Sequence, residues 1–472
     1  MRRDAKCRSI IDMKSRKLKT VWLAKTMGAI LATLALTNAL QAQFSNLSTV
    51  SVAVPIPAFE QASQLPTGDL NTSDATNAFH STSSLRLEDL EAIALQCHPS
   101  VQRATALANA ARGRALQVGL RPNPTVGFQG QQLFSDGRAE QYGLAIGQDY
   151  IPKDKLAFNR ETVLNEVRQL EQNAIAIQQK VVNDVRVGYF RVLRAIHQME
   201  ANEQLVEISE KGVAIAESLF NAQEVGRIDT LQAAIEVETA KLQLRIAENR
   251  YQSVWQELAA VCGQPMLPQR PLAGDLFAPA SKFDFEDEFA RLQNQSPELF
   301  AIVASIDRAR MNLRRQQIET RPNVNVQGLL NWRDNGTGGD PNAGISISVP
   351  IPTKNRNQGA IQEARYQVCA AEQQLTQRQL DLRQRLAAVF ERYSNAQQQA
   401  ESYRNVILPK AEETLGLVRK TYEIGELNFV SMLTAQRTYI QSRIAYLEAV
   451  EALRIAETEI QGMLLRNSLA DF

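Results

Sequence analysis

The sequence RPNPTVGFQGQQLF at residues 121–134 returns in altered form as RPNVNVQGLLNW at residues 321–332. Both copies open on Arg-Pro-Asn, and a proline ends a helix because it lacks an amide hydrogen and crowds the preceding turn. Apolar residues then alternate with polar or small ones, which is the period of a β-strand with one apolar face. The two stretches therefore predict equivalent helix-to-strand junctions, 200 residues apart.

Other short matches keep nearly the same spacing and order, which indicates a tandem duplication. Ile151-Pro152 corresponds to Ile351-Pro352, and EVGRIDTLQA from Glu224 resembles EIGELNFVSMLTA from Glu423. We predict a first repeat over residues 85–270, a connecting segment over 271–295 and a second repeat over 296–467.

Four runs of about ten residues carry the alternating pattern, which is the length of a tilted strand that crosses a bilayer. The predicted strands are residues 124–134, 141–150, 323–332 and 343–351. In the second repeat we expect the apolar face to contact lipid; its residues are Val324, Val326, Ile345, Ile347 and Val349. On the strand pattern alone, a soluble hairpin with one hydrated face is an equal alternative.

Four long helices are predicted, over residues 156–220, 229–262, 357–422 and 429–465. The first contains no proline and repeats Leu156, Val163, Leu170 and Ile177 at heptad spacing, which is typical of helices packed along their length. Pro409 predicts a kink or break in the third. The last helix has two heptad rows, which indicates two neighbours, as in a ring of helices; a solid antiparallel bundle is the alternative.

Four strands cannot close a barrel by themselves. An open sheet edge in lipid leaves backbone N–H and C=O groups without partners, and each such group is costly. Identical subunits would close the barrel with a multiple of four strands; eight leave almost no lumen, whereas twelve or sixteen leave a pore. The pattern thus predicts one subunit of an oligomeric channel, without choosing between twelve strands and sixteen.

The first 42 residues have the features of an export signal: a long basic stretch, the apolar run Met27–Leu36, and small residues up to Ala42. Residues 43–84 are rich in Ser, Thr, Asn, Ala and Pro, and are predicted to be a disordered linker. Removing the signal takes nine basic and two acidic residues from totals of 52 and 51, which leaves a net charge of −6. That charge argues against a nucleic-acid partner.

The chemistry-bearing residues are few and scattered. None of the three histidines has a cysteine or second histidine at metal-ligand spacing, and no nucleophile-elbow or phosphate-binding motif is present in the sequence. We therefore expect no enzymatic activity, no cofactor and no metal site. The cysteines left after signal removal have no CxxC spacing and do not predict a disulfide framework; they are Cys97, Cys262 and Cys369.

The duplicated plan and the stretch ILPKAEETLGLVRKTYEIGELNFVSMLTAQRTY from Ile407 resemble the TolC-type outer-membrane efflux protein family. The resemblance implies a homotrimer with a twelve-stranded transmembrane β-barrel and a long periplasmic α-barrel. It further implies that the protein lies in the outer membrane and acts as exit duct for a periplasmic adaptor and an inner-membrane pump. GLRPNPTV from Gly119 is more similar to the heavy-metal-resistance branch than to the multidrug branch.

In that family the turns between paired long helices form the periplasmic tip, which closes the duct. The resemblance places the tip here at residues 223–230 and 422–431, and its candidate gate residues are Gly226, Asp229, Tyr422, Gly425, Ser431 and Thr434. We hypothesise that the Tyr422 hydroxyl donates a hydrogen bond to a carboxylate such as that of Asp229; packing of Tyr422 in the last helical turn is the alternative. A periplasmic coiled-coil scaffold without a pore is the competing function.

Overall fold

The computed structural model describes residues 84–131, 140–334, 338–424 and 426–469. The predicted signal, residues 1–42, and all but the last residue of the predicted linker, residues 43–84, lie outside the described residues. Within the described ranges, no helix combines the length and the apolar character needed to cross a membrane.

The first repeat places two shorter helices before its hairpin and two long helices after it. Its helices are α1 (Leu87–Cys97), α2 (Pro99–Val118), α3 (Lys153–Asn221) and α4 (Arg227–Val261), and its strands are β1 (Thr125–Gln131) and β2 (Gln141–Tyr150). At a rise of about 1.5 Å per residue, the 69 residues of α3 extend about 100 Å.

The second repeat has the same order. Its elements are α5 (Phe285–Gln295), α6 (Pro297–Ile318), β3 (Val324–Asp334), β4 (Asn342–Ser348), α7 (Gln358–Ser402), α8 (Leu408–Glu423) and α9 (Phe429–Gln461). The predicted connecting segment 271–295 is only partly a connection, because its last eleven residues form α5, the counterpart of α1. The Asp284 carboxylate caps this helix by accepting from two amides of its first turn. The predicted start of the second repeat at residue 296 did not take this N-cap into account.

The predicted helix 357–422 is interrupted near Pro409, as its proline indicated. A π-helical turn, Tyr403–Ile407, separates α7 from α8, and Pro409 lies in the first turn of α8. A proline removes one backbone hydrogen bond and crowds the carbonyl four residues before it, and the wider π turn accommodates both effects.

The four strands form one antiparallel sheet in the order β1-β2-β3-β4. Phe128 lies opposite Leu144, which lies opposite Leu330. The ladder between β2 and β3 shifts by one residue between Tyr142 and Gly143, so that Trp332 forms a bulge near the end of β3.

The largest apolar core lies where α1, α3, α4, α7 and α9 meet, and it includes Tyr189, Trp255, Leu258, Leu386 and Ile460. A smaller cluster lies where the long helices turn, and it consists of Ala216, Leu219, Ala233, Tyr422, Phe429 and Met432. A further cluster, formed by Leu205, Ala240 and Ile440, joins α3, α4 and α9, so apolar clusters hold the long helices together at several levels.

Candidate functional site

One face of the sheet is apolar and exposed across all four strands. Val126 lies opposite Ile146, and Val326 lies opposite Ile347, so that directly paired residues share this face. Its exposed members are Val126, Phe128, Leu144, Ile146, Val326, Leu330, Ile345 and Ile347. A soluble domain rarely exposes a continuous apolar face of this extent, so this face requires an apolar environment.

The five predicted lipid-facing residues lie at the β3–β4 side of the sheet. Val326 and Ile347 are cross-strand partners, and Ile345 lies opposite Gly328. Val324 begins β3 and is half-buried, whereas Val349 is exposed one residue past the end of β4.

The opposite face carries small and polar residues such as Gly127, Asn325, Gln327 and Ser346. At Gly143 there is no room for a side chain, since a Cβ would lie 2.6 Å from the Leu330 carbonyl oxygen. The sheet therefore separates a polar surface from an apolar one, as the alternating sequence indicates.

Among the described strands, β1 pairs only with β2 and β4 pairs only with β3. Each outer strand therefore leaves one edge of backbone donors and acceptors unpaired within the subunit. Such edges are costly next to lipid and favour pairing with another strand.

The first helix-to-helix turn brings Gly226 and Asp229 together at the start of α4. Gln223 has a left-handed φ of +66°, and Gly226 is the N-cap of α4. Asp229 lies in the first turn of that helix, where a carboxylate interacts favourably with the helix dipole.

Tyr422 lies at the second turn but does not form the hypothesised bond with Asp229. The Tyr422 ring is fully buried and packs against Phe429, with ring centroids 5.8 Å apart. Its hydroxyl has no hydrogen-bond partner among the described residues. Burial raises the pKa of the Tyr422 phenol, and the nearby Asp229 carboxylate raises it further. Within one subunit the Tyr422 ring is thus packed in the apolar cluster, and its role at the gate stays a prediction.

Ser431 and Thr434 line an open groove of about 640 Å³ between α8 and α9. The Ser431 amide donates to Asn428 Oδ1 at 2.9 Å, and the Thr434 hydroxyl donates to the Val430 carbonyl. Val418 of α8 and Val406 of the preceding π-helical turn are among the apolar residues that complete the groove. Gly425 lies outside the described residues.

An exposed apolar stripe on α4 is a feature that the sequence reasoning missed, although its spacing was readable. Its residues recur at steps of three, four, seven and four, on one helical face. They are Ile228, Leu231, Ile235, Leu242 and Ile246, each more than half exposed.

Four helices, α3, α4, α8 and α9, meet near the two helix-to-helix turns. Within this group, α3 packs against α4 and α9, and α9 packs against α8. The α4 stripe therefore lies on one outer helix of the group, and the α8–α9 groove includes the other outer helix, α8. Over the part of the chain that the structure describes, no cluster of three or more His, Cys, Asp or Glu side chains could hold a metal ion.

A family profile described as Outer membrane efflux protein matches residues 92–264 and 290–464, one match for each repeat. The chain belongs to this family. The chain is similar to the cobalt-zinc-cadmium resistance protein CzcC of Cupriavidus metallidurans, to which it is 25% identical over 386 residues, covering 81% of this chain and 90% of that protein. The outer membrane efflux protein BepC of Brucella suis is 22% identical, covering 80% of this chain and 79% of that protein.

Solved structures show the same fold. The crystal structure of CusC, a protein that forms a transmembrane channel, matches with a TM-score of 0.67 at 17% identity, covering 81% of this chain and 92% of that one. The predicted fold class, a mainly helical chain with a small sheet built for an α-barrel and a β-barrel, is thereby confirmed. The efflux family member described here is an outer-membrane efflux channel subunit with a periplasmic extension, and the scaffold alternative is disfavoured.

Proposed function

We propose that three copies of this chain form a closed duct, which serves as the passive exit of a tripartite pump for divalent metal cations. Closure is supported by surfaces that have no partner within the subunit, in the sheet and among the long helices. In the sheet, the outer edges of β1 and β4 are unpaired. Among the long helices, α4 and α8 have exposed apolar residues.

At the level of the sheet, β1 of one copy would pair with β4 of the next. Three copies would give twelve strands, with the apolar face outward to lipid and the polar face inward to water. Polar and small residues such as Gln327 and Ser346 would then line the pore.

At the level of the long helices, the α4 stripe of one copy would fill the α8–α9 groove of the next. Ile235 is 65% exposed on α4, and Val430 is 52% exposed beside the groove. Burial of such side chains is favourable by about 25 cal/mol for each Å² removed from water. Because the two surfaces differ, the contact is head-to-tail, and the proposed three-fold rotation between copies would close it into a ring.

The ends of the paired helices, around Gly226 and Gly425, would meet the periplasmic adaptor protein. We retain Asp229, Ser431 and Thr434 as candidate gate residues at this tip, since Asp229 lies in the first turn of α4 and the other two lie near the start of α9. The inner-membrane pump would supply the energy, with the duct itself passive.

Metal cations are the favoured cargo because CzcC is named for cobalt, zinc and cadmium resistance. The test is deletion of the gene followed by complementation. Deletion should lower the tolerated concentration of cobalt, zinc or cadmium and leave antibiotic tolerance unchanged. Loss of antibiotic tolerance alone would reject the metal assignment but not the duct.

Assembly is tested by the mass of the detergent-purified protein and by conductance in planar bilayers. The parent should have three times the subunit mass and conduct ions. Ile235→Asp should reduce the trimer fraction at least tenfold, whereas Ala234→Asp, at an exposed position that flanks the stripe, should reduce it much less. A folded parent that stays monomeric in detergent and does not conduct would refute the proposal.

A further inference from the structure

Two cysteines that are far apart in sequence lie at abutting helix ends. Cys97 is the last residue of α1, and Cys262 is the C-cap of α4. The chain turns at Gly263, whose φ is +70°, and passes directly against the end of α1. A methyl group at Gly263 would lie 2.8 Å from the Cys97 carbonyl oxygen and 3.1 Å from the His98 Cα.

The two thiols differ in burial. The Gln264 side-chain amide donates to Cys97 Sγ at 3.4 Å, and Cys97 is partly exposed. Cys262 is fully buried in the main apolar core. Burial raises the pKa of the Cys262 thiol to about 12, and the neighbouring Cys97 contributes to the rise. The third cysteine, Cys369, is exposed on α7.

We propose that Cys97 and Cys262 become joined by a disulfide in the exported protein. The observation that carries it is the contact between the residue after Cys262 and the backbone of Cys97. The periplasm is an oxidising compartment in which disulfides persist, and family membership places these helices there. The bond would tie α1 to the end of α4 and so constrain the unfolded chain.

The oxidant required is a periplasmic dithiol oxidase, whose own disulfide accepts two electrons. The Cys97 thiolate attacks one sulfur of that disulfide and releases the other as a thiolate, which gives a mixed disulfide. The Cys262 thiolate then attacks Cys97 Sγ and expels the second oxidase thiolate. Overall, two protein thiols lose two protons and two electrons, and the oxidase becomes a dithiol. Because buried Cys262 is a weak nucleophile near neutral pH, closure occurs during folding, before the core forms.

The experiment counts thiols in a variant in which Cys7 and Cys369 are replaced by serine. The protein is exported by cells that contain a dithiol oxidase, denatured, and treated with a maleimide–polyethylene glycol reagent. We expect no label before reduction and two labels after it, with the linked peptides recovered by mass spectrometry. Two labels before reduction would overturn the proposal, as would a reducible cross-link between subunits. Cys97→Ser in the same background should take one label with or without reduction, and this result is independent of cargo and trimer assembly.

Discussion

The Asn183 amide, midway along α3, binds the carbonyl oxygens of Gly462 and Leu465 at 2.8 and 2.7 Å. Asn183 is fully buried, and Gly462 packs so closely on it that a Cβ there would lie 2.1 Å from Asn183 Nδ2. The neighbouring Asp184 accepts from the Asn467 and Ser468 amides, at 3.1 and 2.6 Å. The segment after α9 is therefore held across the middle of the longest helix.

Gly462→Ala should destabilise the subunit by about 1–3 kcal/mol, because the added methyl group displaces Asn183 from both carbonyls. The measurement is the denaturant dependence of the helical circular dichroism signal in detergent. Gly416→Ala is the matched control, since no atom lies within 4 Å of its Cβ position on exposed α8. Alanine there should stabilise the helix by about 1 kcal/mol. Equal stability of the two variants would contradict the role of the Asn183 contact.

Ile347→Arg should lower the stability of the membrane-embedded protein by about 2–4 kcal/mol, because a charge at mid-strand would face lipid. Ser346→Arg, the adjacent residue on the polar face, should cost less. The amount of assembled protein in outer-membrane fractions and the resistance of the trimer to heating in detergent measure the difference. Similar losses from both substitutions would argue against a barrel.

Stability should decline as the pH falls below about 6.5, the ordinary pKa of histidine, through a contribution from His98. Its buried Nδ1 accepts from the Ser100 amide at 3.2 Å, a role open only to the neutral ring. Burial lowers the pKa of His98, and the Asp184 carboxylate opposes this effect. The folded state therefore takes up a proton at lower pH than the unfolded state, so the contribution is full above the unfolded pKa and declines below it.

His98→Asn keeps a side chain that can cap α2 but cannot titrate. Melting temperatures from pH 8 to pH 5 should decline less for this variant than for the parent. Parallel declines would show that other groups dominate the acid sensitivity.

Local signals predicted the elements well. The observed β2 spans the predicted residues 141–150, because the alternating run follows Asp136-Gly137 and ends before Pro152. Proline and glycine placed the long helices to within a few residues, and Pro409 indicated the interruption that the π turn provides. The Asn183–Gly462 contact was not predictable, since its partners are 279 residues apart and nothing local marks either one.

The candidate gate was less accessible to sequence reasoning, because a tyrosine beside a turn suits both a bond and a core position. Tyr422 follows Leu415 and Val418 on the apolar face of α8, and the Phe429 ring packs against the Tyr422 ring. Tyr422 is buried in a cluster with Phe429 and Met432, which no spacing rule within α8 reveals, and its hydroxyl forms no hydrogen bond with Asp229.

Tyr422→Phe tests which role the side chain has in the assembled duct. The Tyr422 hydroxyl has no partner among the described residues, and a buried unsatisfied hydroxyl is destabilising. We therefore expect the phenylalanine variant to be as stable as the parent or up to about 1 kcal/mol more stable, with unchanged conductance in planar bilayers. Tyr422→Ala should instead cost about 3–5 kcal/mol, since it leaves a cavity beside Phe429. Should Tyr422→Phe fold normally yet conduct more than the parent, the hydroxyl must bond across subunits. Asp229→Asn would then raise conductance to a similar extent, and the double variant would add little to either.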